Sequence, residues 1–264
     1  MRRGPQLLTL TTDFGTADGY VGAMKGRILS VLPEATLCDI SHDIPPQDVG
    51  RGAWCLRRAV PQFPSGTVHL AVVDPGVGSQ RAGIVVETEH YLLVGPDNGL
   101  LYLAARDDGI RRVIEINEDT QEWYKSASFD GLTLFAPVAA LLLSGLALED
   151  VGPDAEELVE WSDATARVHG NVVEGHVVLF DRFGNGITDI TGEALRGREI
   201  EHVNLRNSQE LRLCEHYAQL AGDARPGALI NSDGRLELTV YGDSAQGRLS
   251  LQPGDPVKVL LRPP

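Results

Sequence analysis

The sequence predicts an α/β protein, with an N-terminal, mainly parallel sheet flanked by helices and a small C-terminal antiparallel β-barrel domain. Three observations lead there. In the first half, short apolar runs alternate with segments whose apolar residues recur at helical spacing, which is the pattern of βαβ units. Near residues 150–165 that pattern breaks at an acidic, turn-rich stretch, Gly152-Pro153-Asp154-Ala155-Glu156-Glu157. Beyond it lie short β-prone runs separated by Gly, Asp and Asn, spaced as in a small barrel or sandwich. The expected domains are residues 1–152 and 165–264.

Each element has its own signal. Leu7 to Thr11 is a β-prone run that stops at Thr12-Asp13-Phe14-Gly15. Gly19 to Leu32 sets Tyr20, Ala23, Met24, Ile28 and Val31 on one helical stripe, and Pro33 ends it. Thr36 to Ile40 is a second strand. Pro46 to Val60 is a second helix, with Pro45-Pro46 at its start, where a fixed φ suits the first turn. Val68 to Val73 is a third strand, running straight into Asp74-Pro75-Gly76-Val77-Gly78. Ile84 to Glu87 and Tyr91 to Val94 read as a strand pair, followed by the turn Gly95-Pro96-Asp97-Asn98-Gly99. Gly131 to Leu146 is a further helix. The second half offers strands at Gly175–Phe180, Gly186–Ile190, Leu229–Asn231, Leu236–Val240 and Pro256–Leu261.

Composition narrows the function classes. Of 264 residues, 42% are hydrophobic and 23% charged, ordinary for a globular chain with a sizeable core. A formal net charge of −14 argues against duplex nucleic acid and anionic membranes, which need clustered Lys and Arg. The longest apolar stretch, Phe135 to Leu143, is far short of the ~20 residues that span a bilayer and reads as a core helix. The first residues read as a strand rather than a signal peptide, so a cytoplasmic protein is expected. Cys38, Cys55 and Cys214 have no motif spacing and read as buried reduced thiols. No histidine pair has metal-ligand spacing, and no metal is expected. His42 follows a strand and is open to an approach to the site, but reads first as a structural histidine bonded to Asp43 or to backbone. Trp54, Trp123 and Trp161 read as packing residues, with a cleft-lining role open to Trp123 and Trp161.

The chemistry concentrates at two strand ends. In a parallel sheet, ligands bind at the carboxyl ends of the strands. Asp13 and Asp74 each follow an apolar strand there. A carboxylate offers two acceptor oxygens to the adjacent hydroxyls of a ribose. It can also bind a metal, orient a water, cap the next helix (Asp13) or shape a turn (Asp74). The glycines at 76 and 78 lack the partners of a phosphate-binding loop.

Six strings occur in order: TTDFG, DISHDIPPQDV, VVDPGVGSQR, GPDNGLL, FAPVAA and DRFGN. Together they resemble the S-adenosylmethionine (SAM) hydrolases that form adenosine, also called SAM hydroxide adenosyltransferases, a family related to the fluorinases and chlorinases. The resemblance extends from about residue 7 to the C-terminus. It implies an α/β domain joined to a small barrel, assembled as a homotrimer, with SAM held between the first domain of one subunit and the second domain of its neighbour. SAM would be the substrate, cleaved by in-line attack of water at C5′, and no cofactor is implied. On the same resemblance, Asp13 matches the ribose-binding aspartate. Asp181, Phe183 and Asn185 match second-domain positions that contact the methionine and adenosine portions. Asn231 and Ser232 resemble the segment near adenine and the methionine carboxylate. Asp74 and Arg81 match two members of an Asp–Arg–His set that positions the attacking water.

The third member departs from the pattern. The family phrase is usually Phe-His-Gly-Arg-Asp ahead of Phe-Ala-Pro, and this chain has Phe129-Asp130-Gly131-Leu132-Thr133. Asp233 stands where halogenating relatives carry an Arg. With Asp130 in the catalytic set, the expected reaction is SAM hydrolysis. Its alternatives are a SAM- or adenosine-binding protein with weak or lost catalysis, and a halide-using relative. The last is disfavoured because two carboxylates repel an entering anion.

Overall fold

A computed structural model describes residues 6–117, 128–161, 166–206, 209–222 and 225–262. Trp123 lies outside them. The chain divides into two units, Met1–Trp161 and Ser162–Pro264.

The first unit is built on strands β1 (Leu7–Thr12), β2 (Thr36–Ser41), β3 (Val68–Val72), β4 (Gly83–Thr88), β5 (Leu92–Pro96) and β6 (Ile110–Glu115), in the order β2-β1-β3-β5-β4-β6. β1 runs parallel to both β2 and β3, and β3 parallel to β5; β4 alone is reversed, pairing antiparallel with β5 and β6. Helices α1 (Tyr20–Val31), α2 (Val49–Ala59), α3 (Tyr102–Asp108) and α4 (Ala136–Ser144) cover the two faces. Side-chain alternation along the strands assigns the layers. Leu70 and Val72 of β3 join Met24 and Ile28 of α1 and Val138 and Ala139 of α4 in one core. Ala71 and Val73 join Leu56 of α2 and Ala104 of α3 in the other. Both faces of β3 are covered, and every residue of it is buried.

This connectivity creates a switch point. From β1 the chain crosses by α1 to β2 on one side, then by α2 to β3 on the other side of β1. Crevices for ligands open at such points, outside the carboxyl ends of the diverging strands. Here those are the ends of β1 and β3.

Several sequence expectations shift locally. The buried stripe of α1 is Val21, Met24 and Ile28, whereas Ala23 is exposed and Tyr20 is half exposed. Pro45-Pro46 precede α2 rather than opening it: Gln47 turns to φ 66°, and Asp48 caps the helix by accepting from the Arg51 amide at 2.9 Å. α3 and β6 carried no clear periodic signal in the sequence. The helix expected from Gly131 opens with a π-helical turn, Gly131–Phe135, before α4.

In the second unit, strands β7 (Arg167–His169), β8 (Val172–Phe180), β9 (Gly186–Thr191), β10 (Ile200–Leu205), β11 (Glu210–Leu213), β12 (Gly227–Ile230), β13 (Arg235–Thr239) and β14 (Pro256–Leu261) accompany a short helix, α5 (Ala245–Leu249). β8 pairs with both β9 and β14, which closes seven strands into a barrel and leaves β7 appended to β8. The pairing is antiparallel except for β11 with β12. Alternate residues such as Val173 and Val177, Leu236 and Leu238, and Val257 and Val259 fill the interior.

Candidate active site

β1 and β3 are in register with Thr12 opposite Val72, so Asp13 and Asp74 leave the same edge of the sheet at the switch point. Asn98, from the Gly95–Gly99 turn, fixes the end of β3 by donating its side-chain amide to the Val73 carbonyl at 2.9 Å.

After Asp74 the chain doubles back. Gly76 N–H donates to Asp74 Oδ1 at 3.1 Å and Gly78 takes φ 76°, a left-handed conformation that suits glycine. The reversal returns Arg81 to Asp74. Arg81 Nε lies 3.2 and 3.0 Å from the two carboxylate oxygens, and Nη2 lies 2.5 Å from Oδ2. The same Nη2 donates to Asp130 Oδ2. Asp130 comes from the start of the π-helical turn, which also carries Phe135 beneath the guanidinium, 5.3 Å from its carbon to the ring centroid. π-helical turns occur frequently at functional sites, where they re-aim side chains. Gly131 permits the close packing: an added Cβ would meet Phe129 at 3.0 Å and Phe14 at 3.3 Å.

The three groups are nearly dry, with side-chain exposure of 11% for Arg81 and 4% for each aspartate. Burial alone would disfavour the charged guanidinium. Hydrogen bonds and attraction from Asp74 and then Asp130 outweigh it and raise the Arg81 pKa. Two carboxylates share one guanidinium, so the cluster has a formal charge of −1 when both are ionised. It can orient a water and accept its proton, and it disfavours an anion.

Asp13 does not cap α1, whose N-cap is Gly19. Its Oδ2 instead accepts the backbone N–H of Gln47 at 2.8 Å. His42, buried, lies beside this segment with Nδ1 2.8 Å from Thr12 Oγ1. Its Nε2 is 3.1 Å from Asp39 Oδ1, off the direction of a good hydrogen bond. The sequence expectation of an Asp43 or backbone partner is therefore replaced by Thr12 and Asp39. Phe14, Tyr20 and Phe129 meet edge to face at 5.1 to 6.0 Å, joining the Asp13 and Asp130 segments.

In the barrel unit, Asp181 organises the β8–β9 turn. Its Oδ1 accepts the amides of Phe183 and Asn185 at 2.9 and 2.8 Å, and its Oδ2 the Asn185 side-chain amide at 3.0 Å. Asn185 in turn accepts from Thr239 Oγ1 at 2.7 Å. The turn holds Phe183 out, 77% exposed. Asn231 shapes the β12–β13 turn, accepting the amides of Asp233 and Arg235 at 3.0 Å each and donating to the buried Glu237 at 3.1 Å. Ser232 is exposed at its tip. These two turns are not brought together. β9 pairs with β13 from Thr191 opposite Arg235 to Gly186 opposite Leu238, with a bulge in β9 between, so they occupy opposite ends of that ladder, roughly 10 Å apart along β13 at about 3.3 Å per residue.

Other candidates resolve simply. Trp161 packs on Gly50 and Gly99, where a Cβ would meet its ring at 2.5 and 3.2 Å, so it is a packing residue. Trp54 is buried with Arg57 over its ring. Cys214 is buried, but Cys38 and Cys55 are only half-buried, unlike the expectation from composition. The tethers of Thr12 and Gln47 to the Asp13 segment went unread in the sequence, and His42 was read only as open to an approach to the site. Their one signal was the Ser-His-Asp-Ile-Pro-Pro string next to a strand end.

Comparison with known proteins gives concordant matches over both units. Residues 8–152 match the SAM hydroxide adenosyltransferase N-terminal domain, and residues 175–258 the C-terminal domain of the same name. A protein of Methanocaldococcus jannaschii named (R)-S-adenosyl-L-methionine hydrolase is 38% identical, over 96% of this chain and 95% of its own. A fluorinase of Actinopolyspora mzabensis is 25% identical over 96% of each. The crystal structure of an uncharacterized conserved protein from Thermotoga maritima superposes with a TM-score of 0.87 at 32% identity, covering 96% of this chain and 99% of that one.

Proposed function

The chain belongs to the SAM hydroxide adenosyltransferase family, and from that premise we propose that it hydrolyses SAM to adenosine and L-methionine by in-line attack of water on C5′. The observation that carries this reading is the Asp74–Arg81–Asp130 cluster, set beside Asp13 at the switch point of the sheet.

The bond to be broken suits such a site. The leaving group is a neutral thioether departing from a sulfonium, so the electron pair goes to sulfur and no acid is required. What the reaction needs is alignment and a better nucleophile. Alignment in a near-attack geometry supplies on the order of 7–11 kcal/mol in favourable cases. A carboxylate that takes the water proton as the C5′–O bond forms contributes about 10²–10⁴-fold. In this reading Asp13 grips the ribose hydroxyls, Arg81 fixes the two carboxylates, and Asp74 with Asp130 orients the water and receives its proton. Attraction between the acidic cluster and the sulfonium strengthens binding without itself accelerating the step.

The same cluster separates water from halide. A unit negative charge about 5 Å from an entering anion repels it by about 3 kcal/mol at an effective dielectric of 20. Phe183, Asn185 and Asp181, with Asn231 and Ser232 at the far end of the ladder, are assigned to the substrate of a neighbouring subunit in a cytoplasmic homotrimer. Two separated turns suit a ligand with adenosine at one end and methionine at the other. Light scattering checks the trimer.

The direct test incubates the protein with each sulfonium epimer of SAM in ¹⁸O-water and follows products by chromatography and mass spectrometry. Adenosine carrying the label at its 5′ oxygen, unchanged in yield by chloride, is the expected result. Asp130, in place of the family's usual His, supports one second reading, a SAM-binding protein without turnover. Tight binding with no adenosine after long incubation would establish it instead.

A further inference from the structure

We propose that His42 is a positioning residue for Asp13, a role that rests on Asp13 being the ribose ligand. β1 and β2 pair as far as Thr11 opposite Ser41, with a register shift just before that pair. Past the end of a ladder two strands ordinarily diverge. Here three contacts continue between them, with a fourth inside the Asp13 segment. Thr12 Oγ1 meets His42 Nδ1 at 2.8 Å, and Phe14 N–H donates to the same hydroxyl oxygen at 3.3 Å. Gly15 N–H donates to the His42 carbonyl at 2.9 Å. Gln47 N–H donates to Asp13 Oδ2 at 2.8 Å. The backbone of Asp13 is bracketed on both sides, and its carboxylate is held by the Gln47 N–H.

The polarity of the chain is self-consistent. With the ring hydrogen on Nε2, facing Asp39, Nδ1 accepts the Thr12 hydroxyl, whose oxygen accepts from Phe14 N–H. Asp39, which Nε2 faces at 3.1 Å without a well-directed hydrogen bond, is itself paired with Lys25 at 2.6 Å. Gln47 supplies the other wall from φ 66°, a conformation that non-glycine residues avoid unless their surroundings impose it. Here the disfavoured backbone aims an N–H at the carboxylate. His42 touches no reacting atom in this scheme; it acts through Thr12 and through its own carbonyl.

A packing role and a positioning role differ in what they do to the ribose contact. The experiment measures kcat and KM for SAM and for its 2′-deoxyribose analogue. The variants are Asp13→Asn, His42→Phe, Thr12→Val and Thr12→Ser, each checked for its fold by circular dichroism. With SAM, His42→Phe and Thr12→Val should lower kcat/KM about 10-fold, chiefly through KM. With the analogue the loss should shrink to about 2-fold, because one of the two hydroxyl contacts that Asp13 would make is already gone. Thr12→Ser restores the hydroxyl and should recover most of the loss seen in Thr12→Val. Equal losses on the two substrates would overturn the proposal. Should His42→Phe fail to fold, the Thr12 pair decides alone. A wild type that forms no adenosine overturns the hydrolase reading, and the same comparison is then read from the Kd of SAM and of the analogue; an Asp13→Asn variant that treats both substrates alike overturns the ribose assignment of Asp13 instead.

Discussion

Replacing Asp130 by Asn separates the chemical from the structural contribution of the cluster. The side chain keeps its shape and loses its charge. Arg81 Nη2 contacts both Asp74 Oδ2 and Asp130 Oδ2, so the two carboxylate oxygens lie no more than about 5 Å apart. At an effective dielectric of 20, the guanidinium–Asp130 attraction at about 4 Å is worth about 4 kcal/mol, and the carboxylate–carboxylate repulsion at about 5 Å about 3 kcal/mol. Removing the charge loses the first and relieves the second. Arg81 keeps Asp74, so no uncompensated charge is left buried, which is the situation that costs most. The net effect on stability should be about 1 kcal/mol, or roughly 2–4 °C in Tm for a chain of this size. Activity should respond quite differently. If Asp130 shares the water with Asp74, kcat for adenosine formation should fall at least about 100-fold, the lower end for a general base. Chromatographic assay of adenosine beside a thermal melt reads both quantities. A kcat within about threefold of wild type, with the melt unchanged, would refute the assignment of Asp130 to the catalytic set. The Asp130→His variant, which installs the residue usual in the family pattern, should also fall below wild type if the carboxylate has been recruited.

Three further outcomes follow from the geometry. Gly95→Ala would place a Cβ 2.3 Å from the Ala71 carbonyl oxygen, a backbone atom of the adjacent parallel strand, and should destabilise the first unit by at least about 2 kcal/mol in urea titration. Burial lowers the His69 pKa from 6.5 to about 4, so the unfolded chain takes up the proton first. Its contribution to stability is complete above pH 6.5 and is lost as pH falls toward 4, by up to about 3 kcal/mol, and His69→Gln should flatten that slope in acid titrations. Phe183→Ser should leave Tm within about 1 °C, because the ring is exposed, while raising KM for SAM on the order of 10-fold if it closes over substrate. An unchanged KM would remove Phe183 from the site.

Much of the fold was readable from local pattern. The alternation of strand and helix through the first half, the break near residue 150 and the short runs of the second half all correspond to observed elements, because periodicity and turn chemistry are properties of neighbouring residues. The weak points were equally physical. α3 has only seven residues, and its buried Leu103, Ala104 and Ala105 are consecutive, while β6 buries Ile114 alone, so neither sets up a period. The stripe on α1 slipped from Tyr20 to Val21 because burial depends on which face meets α4 and the sheet, and not on the helix alone.

The candidate site divides along the same line. That Asp13 and Asp74 stand at strand ends and that Asp181 and Asn231 sit in turns are facts of order and spacing, encoded in a few adjacent residues each. Tertiary structure decided which strands became neighbours, and hence that β1 and β3 frame the switch point. It returned Arg81 to Asp74 and carried Asp130 to the same nitrogen across 49 positions of chain. It set His42 against Thr12 rather than Asp43, and the two barrel turns at opposite ends of their ladder. The Asp74–Arg81 pair lies within one ten-residue string and was open to local reading, but the approach of Asp130 depends on long-range packing, where a buried charge settles only beside a partner that neutralises it.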